Sequence, residues 1–91
     1  MLSKCIIRDF IEKFNGLNNV KADVQIKHIL YGNQKLNRCV LHPFSDEECI
    51  GLIMNDGEKK YITMDELYDV SINENVFVLK SDVMEIQINT R

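Results

Sequence analysis

The sequence predicts an α+β fold, in which one N-terminal amphipathic helix packs on a bent antiparallel sheet or a small barrel of five to seven short strands. The period of the apolar residues supports this prediction, because it is helical over residues 3–17 and close to two over most of residues 20–89. The length of 91 residues, of which 45% are hydrophobic and 27% charged, suits one domain spanning residues 1–91.

The helix is predicted over residues 3–17 because the apolar side chains there form one stripe at 100° per residue. Ser3 suits the N-cap position, and Gly16 lies where such a helix would end. A helix this short is marginal in isolation, so its stripe must be buried against the strands. The stripe consists of Leu2, Ile6, Ile7, Phe10, Phe14 and Leu17, with Ile11 at its edge.

The first two strands are predicted over residues 20–30 and 36–42, separated by the turn-rich sequence YGNQ. In the first strand, even-numbered residues from Val20 to Leu30 face the core, which places His28 on the apolar face. The second strand is expected to end at His42, because the following Pro43 cannot donate to a central ladder.

Two hairpins and a last strand follow. The clearest hairpin turns at Asn55-Asp56-Gly57, where Gly57 supplies a positive φ, and the second turns at Asn73-Glu74-Asn75. Between them, residues 63–70 form either one helical turn capped by Thr63, with Glu66 in the third position, or a strand bend. The last strand is predicted over residues 83–89, with Met84, Ile86 and Ile88 inward.

The predicted order of elements is similar to that of Sm-like and SH3-like barrels. The similarity concerns topology alone, because the sequence has neither the paired loop signatures of Sm-type RNA recognition nor the aromatic groove of a peptide-binding SH3 domain. An unpaired edge of such a sheet would also permit assembly into a homo-oligomer.

The segment RCVLHPFSDEEC, residues 38–49, is the strongest candidate for a metal or catalytic site. Cys39 and His42 form one close pair and Cys49 stands apart, so a tetrahedral zinc site would need Cys5 or His28 as well. Buried cysteines are common, and we therefore expect Cys39 and Cys49 to pack in strands without a metal or cofactor.

Enzymatic activity is not expected. Cys39 or Cys49 with His42 is the only nearby pairing of a nucleophile with a base, and no hydrolase, metalloprotease or nucleotide-binding motif occurs. A domain of this size also leaves little concave surface for a pocket. Cys5 is interpreted as a surface thiol on the helix, and His28 as a core or edge residue.

Charge is distributed unevenly along the chain, whose net charge is −3. Residues 1–45 carry seven Lys and Arg against three acids, whereas residues 46–91 carry eleven acids against four Lys and Arg. Acidic loops favour docking on a basic surface of another protein, since complementary potentials speed association. The loop acids expected to make this contact are Asp46, Glu47, Glu48, Asp65, Glu66 and Asp69.

The sequence thus predicts a small regulatory or inhibitory protein, similar in kind to compact acidic factors of phages and other mobile elements, whose partner is a protein. The alternative is a barrel that binds RNA or DNA through a basic strip on the first hairpin. That strip consists of Lys21, Lys27, Tyr31, Lys35 and Arg38.

A cytoplasmic location without a membrane partner is expected. The charges of the first fourteen residues interrupt any signal-peptide core, and the longest apolar run, residues 49–54, is too short to span a bilayer. Three cysteines without paired spacing do not form a disulfide framework, so reduced thiols are the simpler interpretation.

Overall fold

The computed structural model describes residues 3–54 and 57–91 and confirms the α+β class: one N-terminal helix packs on a seven-stranded antiparallel sheet. The helix is α1 (Lys4–Asn15), and the strands are β1 (Lys21–His28), β2 (Gly32–Ser45), β3 (Cys49–Met54), β4 (Lys59–Thr63), β5 (Leu67–Asn73), β6 (Val76–Ser81) and β7 (Met84–Asn89).

Helix α1 begins and ends at the predicted caps. The Ser3 side chain accepts a hydrogen bond from the backbone N–H of Ile6 at 3.2 Å, and Gly16 is the C-cap. Phe10 and Phe14 are buried, and their ring centroids lie 6.0 and 6.5 Å from that of Phe77 on β6. These aromatic contacts join the helix to the core side of the sheet.

The sheet has the strand order β4-β3-β2-β1-β7-β6-β5, and every neighbouring pair is antiparallel. Strand β2 pairs with β1 as far as Val40 and with β3 from Leu41 onward. Among residues 3–54 and 57–91, no ladder joins β4 to β5, so the sheet is open rather than closed into a barrel.

The predicted end of the second strand at His42 is wrong, because β2 continues through Pro43 to Ser45. Leu41 exchanges backbone hydrogen bonds with the segment before β1, donating to Val20 and accepting from Asn19. Since successive residues of a strand direct their backbone groups to alternate sides, the Pro43 nitrogen faces this same side. Strand β1 does not extend that far, so the proline removes no ladder bond.

The predicted inward position of Leu30 is also wrong. Strand β1 ends at His28, which pairs with Gly32 across a three-residue loop, and Leu30 is 76% exposed in that loop. The turn therefore begins two residues before the YGNQ segment, and Gly32, at φ +80°, makes the conformation possible.

The remaining turns agree with the sequence where the structure describes them. Residues 64–66 form a single turn between β4 and β5. The β5–β6 hairpin has Glu74 at φ 56°, and Gly57 has φ +87° in the β3–β4 hairpin, whose Asn55 and Asp56 lie outside the described residues. Ile86 and Ile88 of β7 are fully buried as predicted, whereas Met84 is half-buried.

Candidate functional site

The two predicted acidic loops meet at one end of the molecule. Residues 46–48 connect β2 to β3, and residues 64–66 connect β4 to β5. The backbone N–H of Met64 donates to the carbonyl oxygen of Glu48 at 2.7 Å, which fixes one loop beside the other. We call residues 46–48 and 64–66 together the acidic end.

Asp46 builds the first of these loops. Its Oδ1 atom accepts hydrogen bonds from the backbone N–H groups of Glu48 at 2.7 Å and Cys49 at 2.9 Å. These bonds favour the ionised form and lower the pKa of the Asp46 carboxyl below its ordinary value. Glu47 and Glu48 are exposed, so their carboxylates face solvent without this structural task.

In the second loop, too, one acid holds the turn and another is exposed to solvent. The Thr63 hydroxyl donates to Glu66 Oε1 at 3.1 Å, and the backbone N–H of Glu66 donates to the Thr63 carbonyl at 3.0 Å. Asp65 is exposed. The remaining predicted acid, Asp69, lies apart from the turn as a half-buried residue of β5, opposite Lys80 of β6.

The acidic end continues into two clefts with exposed tyrosines. The cleft that Glu66 lines has a volume of about 250 Å³. The second, larger cleft has a volume of about 290 Å³. Four residues line both clefts: His28, Ser81, Val83 and Met84. Tyr61 lines the first and Tyr68 the second, with 49% and 53% of their surface exposed. The lining of the smaller cleft is His28, Tyr61, Ile62, Thr63, Glu66, Ser81, Val83 and Met84.

The wall shared by the clefts is held by a buried serine. Ser81, 7% exposed, accepts hydrogen bonds on its hydroxyl from the backbone N–H groups of Val83 at 3.3 Å and Met84 at 3.1 Å. This turn places Asp82 at the exposed margin of the larger cleft. Lys27, Lys80 and Glu85 line the same cleft, so the larger cleft carries charges of both signs.

Three apolar residues protrude beside this surface. Ile29, Leu30 and Tyr31, which we call the apolar tip, are 71%, 76% and 84% exposed. The exposure of this tip is not predicted from sequence when the period-two alternation of β1 is extended as far as Leu30. The available signal was the run of three large apolar residues immediately before a glycine.

The basic strip of the alternative interpretation adjoins a row of alternating charge at Lys27. Lys27 of β1 pairs with Glu85 of β7, Glu85 with Lys80 of β6, and Lys80 with Asp69 of β5. The Lys80 ammonium lies 3.7 Å from a Glu85 carboxylate oxygen. A row of alternating charge therefore crosses four strands, and its potential largely cancels at a distance.

The other members of the strip are dispersed. Lys21 and Lys35 are exposed, but Arg38 lies in a β-bulge at φ 55°, where its backbone N–H donates to Asp23 Oδ1 at 2.8 Å. Tyr31 belongs to the apolar tip. Lys35 pairs with Gln25 and Lys27 with Asn33, so these two lysines remain diagonal neighbours on the first hairpin, and the basic strip stays a prediction.

The cysteines and His42 do not converge. Cys39 is 3% exposed in the core, as predicted, whereas Cys49 is half-buried at the start of β3. Burial and the nearby Asp46 carboxylate raise the pKa of the Cys49 thiol, which disfavours the thiolate. His42 Nδ1 lies 3.3 Å from Asn18 Oδ1. In the described part of the chain, no three His, Cys, Asp or Glu side chains gather closely enough to hold a metal ion.

No protein-family model, curated protein or solved structure matches the chain. Within residues 3–54 and 57–91, no helix combines the length and the apolar content that a membrane crossing requires.

Proposed function

We propose that this chain is a small non-enzymatic protein that binds a protein partner with a basic surface through the acidic end. The observation that carries the proposal is the hydrogen bond from the Met64 N–H to the Glu48 carbonyl, which joins two acidic loops that are sixteen or more residues apart in sequence. A regulatory or inhibitory role, of the kind that compact acidic phage proteins have, follows if the partner normally uses its basic surface for another ligand.

The clefts support the proposal because they add apolar contact to charge. Exposed carboxylates contribute little affinity individually, but they steer encounter and reject partners of the same sign. Tyrosines buried on binding contribute more strongly, and Tyr61 and Tyr68 are half exposed beside the acidic end. Because Tyr61 and Glu66 line one cleft, a partner bound there would contact an aromatic ring and a carboxylate together.

The test reverses the charge of only those acids whose carboxylates do not hold a loop in shape. Glu47, Glu48 and Asp65 are changed to lysine together, while Asp46 and Glu66 are kept because their carboxylates hold the two loops. The matched control reverses Asp9, Glu12 and Glu74, which are exposed on α1 and on the far β5–β6 hairpin. Both triple variants change the net charge by the same amount.

The wild-type chain is used to capture its partner from a lysate of its source, and the purified partner is then titrated with each variant. We expect the triple reversal at the acidic end to slow association at least about tenfold at low salt, and the control to leave it near the wild-type rate. Equal rates for both variants would contradict the proposal. Capture of RNA that nuclease removes, without a bound protein, would favour the basic strip instead.

A further inference from the structure

The apolar tip is unusual because its large apolar side chains lie in solvent rather than in the core. Ile29, Leu30 and Tyr31 are the most exposed large apolar side chains among the described residues. The turn itself depends on Gly32, whose φ is +80°, and on hydrogen bonds that the tip residues donate through their backbone N–H groups. Three consecutive exposed apolar residues lower solubility, so their presence at a hairpin end indicates a contact with another molecule.

We infer that the apolar tip is an anchor that inserts into a hydrophobic pocket of a protein partner, and that basic residues line the rim of this pocket. This inference rests on the proposed function and adds the chemistry of the partner: an apolar pocket for the tip and positive charge for the acidic end.

The tip is held in a fixed shape before any partner binds. His28 Nδ1 accepts hydrogen bonds from the backbone N–H groups of Leu30 at 3.1 Å and Tyr31 at 3.4 Å, and the rings of His28 and Tyr31 lie 4.5 Å apart between centroids. The backbone N–H of Ile29 donates to the Val83 carbonyl at 3.0 Å. A preorganised apolar loop loses little conformational entropy on binding, as a good anchor requires.

The position of the tip favours a partner protein with a basic rim. His28 and Val83, which hold the tip, line the same cleft as Glu66 of the acidic end. One bound molecule would therefore contact the tip and meet the acidic end. In the cleft that Ile29 lines, Lys27 and Lys80 are balanced by Asp82 and Glu85. The excess of negative charge near the tip therefore comes from the acidic end, which would attract a basic rim and repel an anionic membrane surface.

The first test places a photo-crosslinker on the tip. Benzoylphenylalanine replaces Tyr31 in the full chain, and a control chain carries it at Asn73, an exposed residue at the far end of β5. After irradiation in cells of its source, we expect an adduct with one protein from position 31 and none from position 73. Adding the Glu47, Glu48 and Asp65 reversals should reduce this adduct at least about tenfold.

The second test measures affinity for the purified partner. Leu30→Ser with Tyr31→Ser should raise Kd at least about thirtyfold, because both side chains would be removed from a desolvated pocket. The matched control is Ile53→Ser, which changes an exposed apolar residue on the outer face of β3 and should leave Kd within about threefold of wild type. Unchanged thermal unfolding of the tip variant would show that its fold is intact.

The outcomes separate the anchor from the proposed function. If the acidic reversals weaken binding and the tip variant does not, the proposed function stands and the anchor is wrong. If the tip variant weakens binding and the acidic reversals do not, the basic rim is wrong and the proposed function falls with it. An adduct of position 31 with a second copy of the chain, or cosedimentation of the chain with anionic phosphatidylglycerol vesicles, would overturn the inference in favour of those occupants.

Discussion

Replacing Gly51 by alanine should destabilise the fold, because β3 and β4 approach each other too closely at this residue for a side chain. Gly51 is buried and pairs with Tyr61 in the middle of the β3–β4 ladder. A Cβ atom on Gly51 would lie 2.5 Å from the Tyr61 Cβ and 2.6 Å from its Cα, and would also meet the Lys60 carbonyl oxygen.

The size of this destabilisation follows from the distance by which β3 and β4 must separate. Ordinary contacts between carbon atoms are about 3.5–4.0 Å long, so the two strands would have to separate by roughly 1 Å. Overpacking of this kind lowers the free energy of unfolding by about 1–3 kcal/mol. We expect a value in the upper half of this range, because the new Cβ meets the β4 backbone rather than the end of a flexible side chain. For a chain of this size, about 2–3 kcal/mol lowers Tm by roughly 10–20 °C.

The assay is urea unfolding followed by circular dichroism, with Gly57→Ala as the control. Gly57 has φ +87° and open space around it, so its replacement measures backbone strain without a clash and should cost about 1 kcal/mol. A free energy of unfolding for Gly51→Ala within about 0.5 kcal/mol of wild type would refute the reasoning, since surface substitutions already have effects of that size.

Three further predictions concern single residues. Glu74→Gly should raise the free energy of unfolding by up to about 1 kcal/mol in the same assay, because Glu74 adopts φ 56° and glycine adopts this conformation without strain. A destabilised variant would contradict this. Because the pKa of Asp46 is lowered in the folded chain, its stabilising effect on the loop is complete at neutral pH and is lost as pH falls through that lowered pKa. Hydrogen exchange of the Glu48 and Cys49 amides, corrected for intrinsic rates, should therefore show less protection in acid; protection independent of pH would oppose this account. In iodoacetamide labelling at pH 8, exposed Cys5 should react before half-buried Cys49, whose pKa is raised. The reverse order by mass spectrometry would be the contrary result.

The parts of the fold that follow from hydrophobic periodicity were predictable from sequence. The helix stripe placed Phe10 and Phe14 in the core, and alternation placed Val24 and Ile26 there. These predictions were correct because burial of regularly spaced apolar residues needs only the local geometry of one element. The expected burial of Ile6 in the helix stripe is wrong, because its side chain near the start of the helix is 50% exposed.

The errors arose where one element depends on another. Pro43 is accommodated inside β2 because β1 does not extend beside it, and strand lengths on a neighbouring element cannot be derived from the proline itself. The alternation from Val20 to His28 was genuine, but it stops at the three consecutive apolar residues 29–31, which the β1–β2 turn exposes. Register is a property of two strands, which explains why the pattern of one was insufficient.

The two acidic loops of the candidate site could be predicted from sequence, but their proximity in the fold could not. The acidic character of residues 46–48 and 64–66 was readable, but their adjacency depends on the β3–β4 ladder, which brings Cys49 opposite Thr63. The structural roles of Asp46 and Glu66 were hidden for the same reason, because they depend on hydrogen-bond geometry in the folded loops.

The most direct test of the central claim is the salt dependence of association between the purified partner and the two charge-reversal variants. For the wild type and for the control reversed at Asp9, Glu12 and Glu74, we expect association to slow steeply as salt rises from about 20 to 300 mM, since screening weakens the attraction. For the reversal of Glu47, Glu48 and Asp65, association should be slow already at low salt and nearly insensitive to it. The same steep dependence in all three proteins would contradict the claim that the acidic end binds the partner.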